Sequence, residues 1–248
     1  MSLDFDSARL ANPYLRSEHD EWRTQVRRFF DREVIPYAEE WDEEGSIPET
    51  LWPKAAEVGI LGLGYPERYG GIEEGIDIWH QMILNEELAR IGVGGISATL
   101  MVHAIALPPL VNYANESLKQ EIIPQVLNGK KRISLAITEP SAGSDVAQIQ
   151  TTARLEGSHY LVNGSKMYIT GGMNANWFTT AVRTGDAGAS GVSTLLIPAD
   201  LPGVSRKLLD RKQGWWCSDT ATIYFDNVLV PEENLIGQEN KGFGVIMT

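Results

Sequence analysis

The hydrophobic period of this sequence changes once, near Lys131, and that change limits the folds open to the chain. Before it, apolar residues recur at helical spacing; after it, they alternate or form short runs bounded by turn residues. Trp22, Val26, Phe29, Phe30 and Val34 mark the first helical stripe. Ser17 and Asp20 stand where a cap and its acidic third residue belong, and Pro36 ends or kinks the helix. Pro48 suits the first turn of a short helix reaching Val58, which Gly59 stops. A third helix over 76–91 is expected to bury Ile78, Met82, Ile83 and Leu88. Residues 96–114 are apolar on nearly all sides, as expected of a helix central in a bundle. His103 within them reads as a core histidine bonded to a neighbour. Asn115 caps a fifth helix, and Asn128-Gly129 ends it.

Past Lys131 the pattern predicts strands at 133–138, 151–155, 159–162, 166–170, 177–183, 192–198, 220–225 and 228–230. A Gly157-Ser158 turn separates 151–155 from 159–162, and Asn163-Gly164 is the strongest hairpin signal in the chain. Short strands at this spacing suggest a barrel or sandwich. The expected fold class is therefore α+β. A helical bundle fills 1–130, a β-barrel or sandwich fills 131–238, and 239–248 begin a further helical domain. The apolar segment Gly242-Phe243-Gly244-Val245-Ile246-Met247 is a single helical turn, expected to need a partner surface.

Charge narrows the function classes. The net charge of −12 argues against nucleic-acid binding, which would need a basic stripe. An anionic ligand must then find a local site rich in N–H groups or basic side chains. Cys217 is the only cysteine, so no intrachain disulfide forms, and no base stands near it in sequence to make it a nucleophile. Trp215, Trp216 and Cys217 read as packing residues. The longest apolar stretch, 96–111, is interrupted by His103 and Pro108-Pro109 and is too short to span a bilayer. Residues 2–7 are acidic and polar, unlike an export signal.

One stretch carries most of the chemistry: Ala136-Ile137-Thr138-Glu139-Pro140-Ser141-Ala142-Gly143-Ser144-Asp145. A strand ends at Glu139-Pro140, and small residues follow whose N–H groups and hydroxyls can approach an anionic or heteroaromatic ligand. A surface turn would use the same residue types.

That stretch resembles the first flavin segment of the acyl-CoA dehydrogenase family, and Tyr168-Ile169-Thr170 resembles the second. Pro66-Glu67-Arg68-Tyr69-Gly70-Gly71 and Glu86-Glu87-Leu88-Ala89-Arg90 resemble its helical-domain signatures. Ser218-Asp219-Thr220 and Val230-Pro231-Glu232-Glu233-Asn234-Leu235-Ile236-Gly237 resemble its closing β motifs. Each motif is weak alone; together and in order they are specific, and they run through nearly the whole chain. The resemblance implies that Leu135, Ile137, Thr138, Gly143 and Ser144 line FAD. Thr138 would face the pyrimidine side of the ring. Ser144 would lie towards the pyrophosphate or at the mouth of the acyl-CoA channel, as a substrate contact. Tyr168, Ile169 and Thr170 would pack on one flavin face, with the Thr170 hydroxyl near N5. Two positions depart from the family pattern. Tyr168 replaces a common Trp, and Gln148 stands where a small residue is usual.

The implied reaction is oxidation of an acyl-CoA to the 2-enoyl-CoA, as in fatty-acid β-oxidation. It needs a carboxylate base, which the family carries in a C-terminal helical domain expected beyond Thr248. None of the 33 acidic residues here falls in a motif matching that base, and Glu139 is expected to be structural. Alternatives are a non-catalytic fragment or flavin-binding module, or an acyl-CoA oxidase or flavin monooxygenase of the same fold. The resemblance further implies electron-transferring flavoprotein as acceptor and a homodimer or homotetramer at full length. It would place the protein in the bacterial cytoplasm or, in a eukaryote, the mitochondrial matrix.

Overall fold

The computed structural model describes Asp6 and residues 10–247; the rest of the acidic start at 2–7, and Thr248, lie outside the described residues. The fold is α+β, and its contacts form two compact units. One comprises Met1–Leu100, Leu127–Lys130 and Lys212–Ser218; the other comprises Met101–Val126, Lys131–Arg211 and Asp219–Thr248.

The first unit contains α1 (Ser17–Glu33), α2 (Ala38–Glu44), α3 (Leu51–Glu57), α4 (Ile78–Ala89) and α5 (Gly94–Leu100). Helix α1 starts one residue earlier than Ser17 suggests, because Arg16 is its N-cap. His19, at the third position, accepts the Arg16 N–H through Nδ1 at 2.9 Å. With Nδ1 accepting, the His19 proton sits on Nε2, which donates to Asp77 Oδ1 at 3.0 Å. Asp77 is itself the N-cap of α4 and accepts from Trp79 N–H at 3.0 Å. His19, Asp77 and His80 cluster closely enough to suggest a metal site. The protonated His19 Nε2 has no lone pair to offer, so the trio is a tie between two helix starts. Pro48 precedes α3 and accepts the Leu51 N–H through its carbonyl at 3.0 Å, rather than sitting in the helix.

Helix α4 buries His80, Ile83, Leu84, Glu87 and Leu88. Ile78 and Met82, expected inside, are 66% and 43% exposed. The buried stripe is set partly by polar groups: Glu87 has no exposed side-chain surface and meets Arg23, Arg27 and Arg90. Ile83 and Leu88 are buried as expected, so hydrophobicity finds only part of this helix's buried face. Trp215 and Trp216, expected to pack, are 58% and 50% exposed. Cys217 is buried, and burial, reinforced by Asp42, pushes its thiol up to about 12, far from a reactive thiolate.

The apolar 96–114 segment is not one helix. It breaks into α5, α6 (His103–Ala106) and α7 (Pro108–Tyr113); at the second break the Pro108-Pro109 pair starts a new helix and cannot continue the old one. Among the described residues, no single helix is long and apolar enough to cross a membrane. Helix α8 (Glu116–Leu127) is capped as expected, with Asn115 Oδ1 accepting from Leu118 N–H at 3.0 Å.

In the second unit, eight strands form one mixed sheet. They are β1 (Ile133–Ala136), β2 (Thr152–Glu156), β3 (His159–Thr170), β4 (Trp177–Arg183), β5 (Val192–Pro198), β6 (Val204–Leu208), β7 (Thr220–Pro231) and β8 (Leu235–Ile236). Their order is β6-β7-β3-β2-β4-β5-β8, with β1 parallel to β4. Strand β1 pairs with the first four residues of β4, while β2 meets the same strand at Arg183. Inward residues such as Tyr160, Val162, Ile169, Phe178, Ile197, Ile223 and Val230 build one core. Strands β6 and β8 escaped the sequence pattern; both are short, and β6 is polar on its exposed face.

Asn163-Gly164 is not a hairpin. Strand β3 runs through it against β7, and the reversal comes earlier, at Gly157-Ser158 between β2 and β3. The β3–β7 register shifts here, but the extra residue lies on β7, where Asp226 and Asn227 oppose Asn163 alone. Gly164 is demanded there by its φ of +145° and by its approach to Thr151, whose Oγ1 would lie 2.6 Å from an added Cβ. The terminal apolar turn, α9 (Gly242–Ile246), finds its partner within the same unit. Val245 is buried, and Phe243 and Ile246 pack on the cluster of Ala142, Ile149, Ala181 and Val192.

Candidate functional site

The two sequence segments singled out for chemistry lie in the second unit, and the backbone joins them. Strand β1 ends at Ala136, and Ile137, Thr138 and Glu139 continue from it. The carbonyl of Thr138 accepts the Met167 N–H from β3 at 2.8 Å. Glu139 and Ala142 then exchange backbone hydrogen bonds of 2.9 and 3.1 Å, closing a tight two-residue bridge around Pro140-Ser141. Gly143 and Ser144 follow this bridge and are exposed. Asp145 caps a short 3-10 turn, Val146–Gln148, accepting from Ala147 N–H at 3.2 Å. Gln148 is exposed within it.

Gly143 is informative by elimination. Its φ is not left-handed, and a Cβ placed there would meet nothing within 4 Å. Neither conformation nor packing inside the protein demands glycine, which leaves space beside an exposed backbone.

The second segment shows the opposite signature, strain. Between Lys166 and Ile169 the β3–β7 register slips by one residue. Within that bulge Tyr168 takes φ +61°, a left-handed conformation that costs a bulky residue about 1–3 kcal/mol. The strained backbone turns its ring outwards, 59% exposed. Ile169 is 2% exposed and belongs to the core, so it offers a ligand only its backbone. Thr170 is half-buried on the alternate side from Ile169. Leu135 is likewise half-buried, opposite Thr179 on β4.

Lys166 escaped the sequence reading. It has no exposed side-chain surface, and its ammonium donates to Glu139 Oε1 at 2.7 Å and to the Ile137 carbonyl at 3.1 Å. Glu139 also accepts from Gln150 N–H at 2.6 Å and Thr151 N–H at 2.9 Å. Burial raises the Glu139 carboxyl, but the Lys166 charge and these donors outweigh it and hold it below the ordinary carboxylate value. Burial draws Lys166 down to about 8 against the pull of Glu139. The available signal was a lysine at an inward position of an alternating strand, paired with a carboxylate just before Pro140.

The carboxylates in and beside these segments are committed to backbone. Glu139 is paired as above, Asp145 caps its turn, and Asp219 Oδ2 accepts from Met173 N–H at 2.7 Å. The last bond, with Gly171 N–H donating to the Asp219 carbonyl at 2.9 Å, fixes the turn after Thr170. The site thus presents an exposed aromatic ring, hydroxyls and an open glycine-serine backbone, and it keeps its buried charges for support.

Two family models match this sequence: acyl-CoA dehydrogenase, N-terminal domain, over residues 16–130, and acyl-CoA dehydrogenase, middle domain, over residues 134–228. The rat mitochondrial long-chain specific acyl-CoA dehydrogenase is 37% identical over 239 residues, which cover 93% of this chain and 54% of that protein. A probable acyl-CoA dehydrogenase from Mycobacterium abscessus superposes with a TM-score of 0.89 at 43% identity, covering 94% of this chain and 61% of that one. An acyl-CoA dehydrogenase from Bacillus anthracis, complexed with FAD, superposes with a TM-score of 0.86 at 33% identity, covering 96% of this chain and 41% of that one. The chain spans little more than half the length of the curated relatives it matches. With both signatures in order and the same architecture around them, the chain belongs to the acyl-CoA dehydrogenase family.

Proposed function

We propose that this chain carries the flavin side of an FAD-dependent dehydrogenase that oxidises an acyl-CoA to the 2-enoyl-CoA. The observation that carries the reading is Tyr168: an aromatic ring held outwards by a strained backbone, tied by its neighbours to an open glycine-serine loop. A large planar ligand with an anionic tail suits that pairing of ring and N–H-rich loop. FAD would be held by Leu135, Ile137, Thr138, Gly143, Ser144, Tyr168, the Ile169 backbone and Thr170. When bound, FAD accepts the hydride from the substrate Cβ. The Tyr168 ring would cover one side of it and exclude water, and the Thr138 and Thr170 hydroxyls would supply hydrogen bonds to its polar edge. Ser144 would contact the pyrophosphate or the incoming acyl-CoA.

The base that takes the substrate Cα proton must come from elsewhere than Glu139, Asp145 and Asp219, since each already accepts backbone N–H groups. We place it beyond Thr248, with electron-transferring flavoprotein as acceptor and a homo-oligomer as the assembled form. Three measurements test the reading. FAD titrated into this chain should bind with loss of flavin fluorescence, and Tyr168→Ala should weaken binding about tenfold or more, the scale of one lost aromatic stack. No binding by the unmodified chain would sink the proposal. Residues 1–248 with FAD and acyl-CoA should not reduce an artificial acceptor; turnover by a sample of confirmed mass would show that the base lies within them. In the full-length enzyme, Thr170→Ala should slow single-turnover flavin reduction about tenfold, the worth of one well-placed hydrogen bond, while substrate affinity stays nearly constant. A reduction rate equal to the unmodified enzyme's removes Thr170 from that role.

A further inference from the structure

Lys166 stands two residues before Tyr168 on one wall of the site, and its ammonium ends on the other wall. It donates to the Ile137 carbonyl at 3.1 Å and to Glu139 at 2.7 Å. Those two acceptors flank Thr138, whose carbonyl takes the Met167 N–H at 2.8 Å. Three consecutive residues of one segment are therefore gripped by two consecutive residues of the other. The grip falls where β3 gains its extra residue: Lys166 faces Ile223, yet Ile169 faces Ala221. The Met167 N–H is thus spent on Thr138, and Tyr168 is left in the bulge at φ +61°.

An inward strand position does not by itself call for an ammonium; here the charge is matched by the buried Glu139 carboxylate. Lys166 lies at an inward, fully buried position of β3, a place an alternating strand ordinarily gives to an apolar side chain. Burying a charged pair is often no better for stability than burying apolar residues of similar size. What the ammonium adds is direction, because it fixes a backbone carbonyl and a carboxylate at once. We propose that Lys166 is a positioning residue for the cofactor, acting through Ile137 and Glu139 to hold the 137–144 wall at the spacing from Tyr168 and Thr170 that the flavin ring requires. This rests on the FAD reading above.

The test compares Lys166→Met with the double variant Lys166→Met/Glu139→Gln in the full chain. Denaturation midpoint, FAD dissociation constant and the visible band of the flavin at saturating FAD are measured for each. The single variant strands a buried carboxylate, so its midpoint should fall and FAD should bind at least tenfold more weakly. The double variant removes the stranded charge but turns one amide NH2 toward the Gln150 or Thr151 N–H, so it should recover part of the midpoint. Its FAD affinity should stay at least tenfold weak, and its flavin band should remain shifted or blurred at saturation. Affinity that recovers together with the midpoint would make Lys166 merely structural and overturn the proposal. So would an unchanged flavin band at saturating FAD. If the unmodified chain binds no FAD, the functional reading falls first and takes this inference with it; if it binds and the variants behave like it, only the inference falls.

Discussion

Glu87→Ala is expected to lower the unfolding free energy by about 3–5 kcal/mol, the cost of breaking a buried ion pair from one side. The carboxylate has no exposed side-chain surface. Arg23 Nη1 donates to Oε1 at 3.0 Å, Arg27 donates to both oxygens at 2.8 and 2.9 Å, and Arg90 Nη1 donates to Oε2 at 3.0 Å. Removing Glu87 leaves three guanidiniums facing a cavity, two of them nearly buried, with side-chain exposures of 10% and 12%. The adjacent Glu86 is a control in the same motif. Its side chain is 42% exposed, so Glu86→Ala should cost less than about 1 kcal/mol despite its contact with Arg23. Urea denaturation of both variants decides the matter, and equal midpoints would refute the buried-cluster account.

The same cluster sets a pH dependence. Burial raises the Glu87 carboxyl, yet the arginines prevail and its value in the fold lies below the ordinary 4.5. A carboxyl depressed by folding contributes stability that is complete above its unfolded value and is lost as pH falls through the folded one. Stability of the unmodified chain should therefore decline in acid below about pH 4.5, and Glu87→Ala should show a shallower decline. A decline of equal steepness would assign the acid sensitivity to other groups.

Gly164→Ala is the second substitution expected to do large damage, about 2–5 kcal/mol from strained backbone and overpacking together. The methyl group would sit 2.6 Å from Thr151 Oγ1 and 2.7 Å from Thr151 Cα, at a φ of +145°. Thr151 cannot step aside freely, because its N–H is bonded to Glu139. Gly157 separates strain from crowding. Its φ is +62°, but an added Cβ meets nothing within 4 Å, so Gly157→Ala should cost only about 1 kcal/mol. If the two variants unfold at the same denaturant concentration, crowding against Thr151 contributes nothing and backbone strain alone sets the cost at Gly164.

The contrast between these glycines shows where the sequence misleads. Asn-Gly between two alternating runs has the composition of a hairpin, and Gly157-Ser158 is the weaker signal of the two. Which one turns depends on what each meets in space, and Gly164 meets Thr151. The same holds for α4. A stripe of hydrophobic residues predicts Ile78 and Met82 inside, but the helix rotates to bring Glu87 to three arginines, two of them on α1. Propensity scales cannot phase a helix whose buried face includes a paired charge. Lys166 is illegible for a related reason: a lysine reads as solvent-facing until its partner is known.

Local chemistry by itself settled the class of fold, α helices and then strands, because the period of apolar residues is written in the chain. It also settled the ends of α8, where Asn115 and Asn128-Gly129 act within a few residues, and the small-residue loop whose Gly143 stays open. The tertiary structure decided what depends on groups far apart in sequence. It turned Ile169 into the core and Tyr168 out of it, through a one-residue slip against β7. It also gave Glu139, expected to be structural, the partner that makes it so, Lys166. The physical reason is common to both. A bulge or a buried ion pair is stable only when its distant partner is in place, and no window of neighbouring residues contains that partner.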